Sequence, residues 1–366
     1  MEEFTANLQR AKEQLVDVKN DVNSEWPKVV FFGTASSIPN RFRNISGFLI
    51  RINPVDSILI DPGEGTLQQF YTFYGDNEES RELLKSINVV LVSHMHYDHH
   101  GGLYNFIYER HQLTKGRARP MVVIGPNTLQ NWVTHLSETF PKELPTNMTE
   151  FHSISDVFHR EANSFAYNLS NQQELSEKLK RSSINLIQAV KVPHTGNSFA
   201  FILDIATQDK ADFRIVYSGD TPKFEDLSKH GRNADLLIHE ATFCDFFRDE
   251  AIKKRHSTVG DVLDIAKNMK AKQTIMTHFS QRYPKLPNFH EYIPNTIPAF
   301  DFLEVSPCDI PRLARLVPLY QHIYPKHFLK LADLPEKSIK RKKMEEDSVK
   351  LPHKKILKGI LEAIKK

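Results

Sequence analysis

Residues 93–102 read SHMHYDHHGG and place His94, His96, Asp98, His99 and His100 within seven positions. Packing gives no reason to crowd imidazoles in this way. A divalent ion does, because neutral imidazole and carboxylate are donors that suit zinc. Alternate residues of an extended loop can converge on one ion while the next pair turns toward a second. Gly101 and Gly102 then allow a tight turn into a helix. One ion needs about four ligands, so others must come from elsewhere in the chain. The candidates stand at the ends of apolar runs: His194 after QAVKVP, Asp220 after IVYSG, His239 and Glu240 after LLI, and His278 after TIMT. His94, His96 and His194 could hold one zinc, Asp98, His99 and His278 a second, and Asp220 could bridge both. Two ions roughly 3.5–4 Å apart can share a hydroxide and clamp a phosphoryl or acyl group. Taken singly, His194 and His278 also fit surface or core histidines, and Asp220 fits a turn residue or helix cap. His100 has no open place, and His239 suits a supporting role better than a ligand's.

The elements that must position these residues are legible as short β-rich runs at 28–34, 46–52 and 57–63, with NPVD as the turn between the last two. Residues 87–94 are nearly continuously apolar, as a strand buried on both faces is. Strands are also predicted at 121–125, 184–194, 198–205, 214–220, 235–241 and 274–280. Helices are predicted at 64–74, 102–113, 127–140, 223–230 and 259–270. Two runs of strands with helices among them imply two sheets packed face to face, with helices outside. Residues 142–183 are polar and weakly patterned and read as helix and loop on the surface. Residues 1–26 read as a polar helix ended by Pro27. No solenoid repeat is present.

The 366 residues carry 48 basic and 45 acidic side chains, a net charge of +3. That balance excludes a broadly basic nucleic-acid binder, so any contact to RNA must come from local patches. One such patch is the C-terminal stretch from Pro335, with eleven lysines and arginines against five acids. Its KSIKRKKM reads as a nuclear localisation stretch, an RNA contact or a solvated tail. Two cysteines, Cys244 and Cys308, make no disulfide framework and point to a reducing compartment. The N-terminus has no apolar signal region, and no run reaches the roughly 18 apolar residues of a membrane span.

H-x-H-x-D-H, a later strand-end histidine, SGDT and a final THFS together resemble the metallo-β-lactamase superfamily. The resemblance implies an αββα sandwich with a dinuclear zinc site. FFGTASSIPNRFRN (31–44), IDPGEGTLQQF (60–70), YSGDTPKFEDL (217–227), LLIHEATF (236–243), KRHST (254–258) and THFSQRYPKLP (277–287) more specifically resemble tRNase Z. That family removes the 3′ trailer from precursor tRNA. The resemblance covers about 28–290 and is greatest to the catalytic, C-terminal half of the long eukaryotic form.

By that resemblance, His94, His96, Asp98, His99, His194, Asp220 and His278 are zinc ligands, and Asp98 also orients or deprotonates the attacking water. Glu240 and His256 are a dyad in which His256 protonates the leaving 3′ oxygen. The products are a tRNA 3′-OH and a trailer with a 5′ phosphate. Arg43 and Asn44 sense the bases just after the cut. The chain departs from the family pattern at Ala35, Tyr97, Thr195 and Ser198–Phe199–Ala200. It also shows no Gly/Pro-rich basic arm of the kind that grips tRNA. It is therefore expected to be a catalytic half, weaker in tRNA binding, whose arm comes from an N-terminal half or a second subunit. The expected layout is a helix or linker at 1–27, a catalytic domain at 28–334 and a Lys-rich tail at 335–366. The expected home is the nucleus or mitochondrion, with the cytoplasm open. The alternative is a hydrolase of the same fold acting on a small ester, thioester or cyclic nucleotide.

Overall fold

The computed structural model describes residues 26–117, 119–143, 145–160, 166–169, 173–207, 212–283, 293–320 and 325–338, with positions 5, 9 and 13 before them. Most of the N-terminal helix and of the Lys-rich tail expected from the sequence lies outside the described residues. The chain divides into two compact units, Met1–Pro318 and Leu319–Lys366. The described part of the second contains the helix Pro325–Ala332.

The strands of the first unit run β1 (Lys28–Gly33), β2 (Gly47–Arg51), β3 (Ser57–Ile60), β4 (Ile87–Leu91), β5 (Met121–Gly125), β6 (Thr149–Ser153), β7 (Phe158–Arg160) and β8 (Ala166–Leu169). They continue with β9 (Ile184–Lys191), β10 (Phe199–Ala206), β11 (Asp212–Tyr217), β12 (Leu236–Glu240), β13 (Gln273–Thr277), β14 (Thr296–Pro298) and β15 (Glu304–Val305). One sheet has the order β15-β1-β2-β3-β4-β5-β6, the other β14-β13-β12-β11-β10-β9-β8-β7. The predicted turn at NPVD closes the antiparallel β2–β3 hairpin. The Asn53 side chain there accepts from the backbone N–H of Val55 and Asp56, both at 2.9 Å.

Strand alternation builds three layers of apolar contact. In β1, Val29 and Phe31 join the layer between the sheets with Phe48, Ile60 and Leu91, facing Phe201, Ile215, Tyr217 and Ile238 of the other sheet. Val30 and Phe32 point the opposite way, onto Phe70, Leu84, Leu103 and Phe106 of the covering helices. On the far side, Ile202, Val216 and Leu237 pack on Leu227, Ile265 and Met269. This is the αββα order the sequence implied.

The stretch 142–183, expected as helix and loop, contains β6, β7 and β8 as well as the helix Gln173–Arg181. Their short polar sequences become strands because neighbours offer backbone partners: β6 adds to β5 and β8 to β9. The two-residue β15 pairs with β1 for the same reason.

What matters for chemistry is direction. β3 to β6 run parallel, as do β11 to β14. β9 points the same way as β11, since both are antiparallel to β10. The C-terminal ends of β3, β4, β9, β11, β12 and β13 thus meet at one rim of the sandwich, where open α/β sheets place ligands.

Candidate metal centre and general-acid pair

The loop after β4 carries His94 and His96, then turns through one helical turn, Tyr97–His100. The backbone N–H of Gly102 donates to the carbonyl of Pro62 at 2.9 Å, holding this turn against the loop after β3. Gly63 permits the approach: a Cβ there would sit 2.3 Å from the Asp98 carbonyl oxygen. Gly219, at φ +55°, bends the chain into Asp220.

Donor atoms of His94, His96, His194 and Asp220 lie within 4.8 Å of one another, as do those of Asp98, His99 and His278. The structure thus brings together all seven proposed ligands. The imidazoles are aimed by their outer nitrogens. His99 Nδ1–H donates to Asp61 Oδ2 at 2.7 Å. Ser93 Oγ–H donates to Asp61 Oδ2 at 2.6 Å, so it can only accept from His94 Nδ1 at 3.0 Å. Thr242 Oγ1–H donates to Glu240 Oε2 at 2.6 Å and likewise accepts from His278 Nδ1 at 2.8 Å. His194 Nδ1–H donates to the Arg255 carbonyl at 2.9 Å. Each of these four rings turns Nε2 inward, where it can donate a lone pair to a cation. His96 enters in the other sense, its Nδ1 lying 3.0 Å from His94 Nε2 and 3.2 Å from His194 Nε2.

Asp220 stands between the two groups. Its Oδ2 is 3.6, 3.4 and 3.7 Å from Nε2 of His94, His99 and His194. Its Oδ1 is 3.4 Å from His278 Nε2 and, though buried, accepts no hydrogen bond among the described groups. A buried carboxylate oxygen without a partner is costly. Inward lone pairs and an unsatisfied carboxylate at these separations fit a shared cation.

Charge agrees. Burial holds His94, His96 and His194 below the usual imidazole range, in the neutral form that donates a lone pair. Burial raises Asp98 and Asp220, but neighbouring histidines, His99 and His278 foremost, outweigh it and keep both ionised. Burial lowers His99, yet Asp220, Asp98 and Asp61 together push it well above its ordinary value.

Beside the donors lies a second unit of chemistry. Glu240 ends β12 and is buried, its Oε1 accepting from Thr221 N–H at 3.0 Å and from His256 Nδ1–H at 2.8 Å. A nitrogen of His256 lies within 4.8 Å of donors on Asp220 and His278. Burial opposes charging of His256, but the Glu240 carboxylate overrides it and raises the imidazole to about 9. His256 is pinned from behind. Ser257 Oγ donates to the Thr221 carbonyl at 2.7 Å, and Thr258 and Asp261 form a capping box on the helix Val259–Met269.

Several of these supports were not singled out from the sequence. Asp61 also accepts from Ser93 N–H at 2.6 Å and, from the opposite sheet, from Tyr217 Oη–H at 2.7 Å. Its signal was a strand-end aspartate in SILIDPG, the same signal that marked Asp220. Thr242 and Ser93 had none beyond adjacency to Glu240 and His94. His100 donates to the His96 carbonyl at 3.0 Å and packs edge-on against Trp132, a prop for the loop. His239 is fully buried, its Nδ1 on the Glu240 carbonyl at 2.7 Å.

The loop 34–44 is tied to the centre, since Ser37 N–H donates to Asp98 Oδ2 at 2.7 Å. Asn44 Nδ2 donates to the Glu64 carbonyl at 3.0 Å. The direct base contact expected of Arg43 is not what this geometry offers. Arg43 is 3% exposed, donates to the Ala299 carbonyl at 3.1 Å and to Thr34 Oγ1, and lies 4.9 Å over the Phe279 ring. A planar guanidinium matched to buried acceptors and an aromatic face packs inward. Arg41 and Phe42 occupy the exposed tip instead.

Arg43 shares its pocket with Asp301, which accepts from Thr34 Oγ1 at 2.7 Å and from Asn44 N–H at 2.5 Å. Burial raises Asp301 to about 6, against the pull of these hydrogen bonds and of Arg43. A carboxyl with a raised folded value favours folding most below its unfolded value near 4 and loses that advantage as pH rises through 6. Asp301→Asn is therefore expected to gain about 2 kcal/mol relative to wild type between pH 4 and pH 7. Urea denaturation of the metal-free proteins at both pH values measures this. A difference independent of pH would contradict it.

The Beta-lactamase superfamily domain model matches residues 56–279, and the chain belongs to the metallo-β-lactamase superfamily. Within it, Ribonuclease Z, mitochondrial, of Drosophila melanogaster is 35% identical over 357 residues, covering 95% of this chain and 43% of that protein. The Zinc phosphodiesterase ELAC protein 2 homolog of Caenorhabditis elegans is 32% identical over 357 residues, covering 90% of this chain and 40% of that protein. The chain thus spans less than half the length of these relatives. A long-form RNase Z from yeast has the same fold, with a TM-score of 0.75 at 23% identity over 87% of this chain and 46% of that one. No described helix is long and apolar enough to cross a membrane.

Proposed function

We infer that the chain is a zinc-dependent endoribonuclease that removes the 3′ trailer from precursor tRNA and leaves a tRNA 3′-OH. The observation that carries this reading is the Glu240–His256 pair beside the donor groups, because a ribose 3′ oxygen leaves poorly unless protonated. The similarity to Ribonuclease Z of Drosophila melanogaster supports the substrate, and its mitochondrial label supports a mitochondrial home.

His94, His96 and His194 would hold one zinc ion, Asp98, His99 and His278 a second, and Asp220 both. Bound there, zinc would lower the pKa of a water and offset negative charge on the phosphoryl oxygens. The protein's own parts are separable. Asp98 is ionised and fixed by Ser37 N–H, so it accepts a hydrogen bond that orients the attacking water rather than holding a proton for long. His256 has Nδ1 committed to Glu240 and gives its Nε2 proton to the departing 3′ oxygen. Asn44 and the loop it anchors steer the strand toward the rim, while Arg43 holds that loop from behind. A tRNA-gripping arm from an N-terminal half or a second subunit would add affinity.

Zinc-loaded protein given a precursor tRNA with a short 3′ trailer is expected to cut after the discriminator base, with His96→Ala slowed by at least about 10²-fold. Equal cutting by the two proteins, or cutting of a small thioester or cyclic nucleotide alone, would overturn the reading.

A further inference from the structure

Of the seven donors, only His96 is exposed, so the centre opens to solvent at His96–Tyr97. Tyr97 has no donor role, yet its side chain stands at that mouth with 60% of its surface exposed. The ring is held in place. Its hydroxyl donates to Glu64 Oε2 at 2.9 Å. It stands edge-on to His100, with centroids 5.8 Å apart. One flank closes over Gly101, where a Cβ would lie 2.8 Å from the ring's Cε1. The same Glu64 takes the Asn44 side chain on its carbonyl. Tyr97, Glu64 and Asn44 therefore form one row from the donor loop to the loop that carries exposed Ile38, Arg41 and Phe42.

A large aromatic surface fixed at its hydroxyl and left open beside a phosphodiester centre suits one ligand chemistry. Unpaired bases stack on such rings, and the ring needs no further ordering to receive one. We propose that Tyr97 is the stacking platform for the unpaired nucleobase next to the scissile phosphate, with Glu64 positioning the ring. The proposal rests on the reading of the chain as an RNA endonuclease. The stacking requires no sequence preference, because every base offers a π-face, and so fits trailers of varied sequence. It also separates two jobs within the loop: His96 and Asp98 face the reacting phosphate, and Tyr97 between them faces the base.

The test uses zinc-loaded wild type, Tyr97→Ala, Tyr97→Phe and Glu64→Gln. The substrates are an intact precursor and two precursors made abasic at the discriminator position or at the first trailer position. Tyr97→Ala is expected to raise KM on the intact precursor by about 5- to 100-fold, with kcat within a few-fold and zinc content unchanged. Tyr97→Phe should stay close to wild type, and Glu64→Gln should fall between. On the precursor that lacks the stacked base, wild type should drop to the level of Tyr97→Ala. Fluorescence anisotropy of a short single-stranded RNA spanning the cleavage site, bound to metal-free protein, should show the same loss for Tyr97→Ala. An equal loss on all three precursors, an unaltered KM, or loss of zinc would each overturn the proposal. If wild type cuts no precursor at all, the endonuclease reading fails and the proposal falls with it. If wild type cuts and Tyr97→Ala matches it, only the stacking fails.

Discussion

Asp220→Ala is expected to remove most of the bound zinc and to slow precursor cleavage by at least about 10³-fold. The reason is position rather than charge alone. Asp220 is the carboxylate that reaches both donor groups, through Oδ2 to His94, His99 and His194 and through Oδ1 to His278. Removing any single histidine would still leave the other group its own donors. Removing Asp220 leaves the nearby imidazoles facing one another without a shared anion. His99, whose raised proton affinity rests on Asp220 before its other carboxylate neighbours, should then lose its proton at lower pH. Asp220→Asn separates shape from charge: it keeps an oxygen at the site but only as a neutral donor, and should retain more metal than alanine but less than aspartate. Elemental analysis of the purified proteins, together with single-turnover cleavage, decides this. Full zinc content in Asp220→Ala would sink the shared role.

The second large effect concerns Glu240. In the metal-free protein, the Glu240 carboxylate lifts His256 to about 9. The donor form of His256 is the protonated one, so its contribution is present below that value and fades as pH rises through it. Cations bound at Asp220 and His278 would repel that proton, which places the alkaline limb of the loaded protein at or below about 9. Glu240→Gln removes the attraction and should move the limb down toward the ordinary imidazole value of about 6.5. At pH 8 that is a loss of up to roughly 30-fold from protonation alone, reached when the loaded limb lies at about 9, and His256→Ala should lose about 10²- to 10⁴-fold. The same pair affects stability. A histidine raised by a partner stabilises the fold fully below its unfolded value and loses that contribution as pH climbs through the folded one.

A chemical rescue distinguishes a proton donor from a structural histidine. With sulfur replacing the 3′ bridging oxygen, the leaving group no longer needs a proton. His256→Ala should then approach the wild-type rate. An alkaline limb that stays in place in Glu240→Gln, or a variant that is equally slow on the sulfur substrate, would falsify the general-acid role.

Much of the centre was legible because its information is local. H-x-H-x-D-H binds its meaning to spacing within one loop, and the ends of β9, β11, β12 and β13 announce themselves as polar residues closing apolar runs. Strands of five to eight residues are short enough that each end is near a chemistry-bearing side chain. The same local reading marked Glu240 as a strand-end residue but paired it with His256 only through family likeness, since the two stand sixteen positions apart and nothing in HEATF or KRHST by itself says that they touch.

Other features depend on residues that meet only in the folded chain. The strands β6 and β8 have little strand character in their own sequences, TEFHS and AYNL. They pair because β5 and β9 offer them sheet edges, and an edge recruits backbone whatever its side chains. Arg43 looked like a solvent-facing cation in PNRFRN. Its burial comes from Phe279, Ala299 and Asp301, which arrive from more than 230 positions away. Asp61 is the most instructive of these residues. It sits at φ +45°, a left-handed backbone that costs a non-glycine residue about 1–2 kcal/mol, and it joins Ser93, His99 and Tyr217 of both sheets.

The sequence by itself determined which atoms are available to a metal, that they lie at strand ends, and that the strands form two sheets. Those are properties of residue type, period and spacing. The tertiary structure alone decided which nitrogen of each imidazole faces inward, which side chains hold those rings from behind, and which cation of the loop is buried. Each of those depends on a hydrogen-bond partner or an aromatic face supplied by a distant segment, and no local pattern encodes the arrival of that partner.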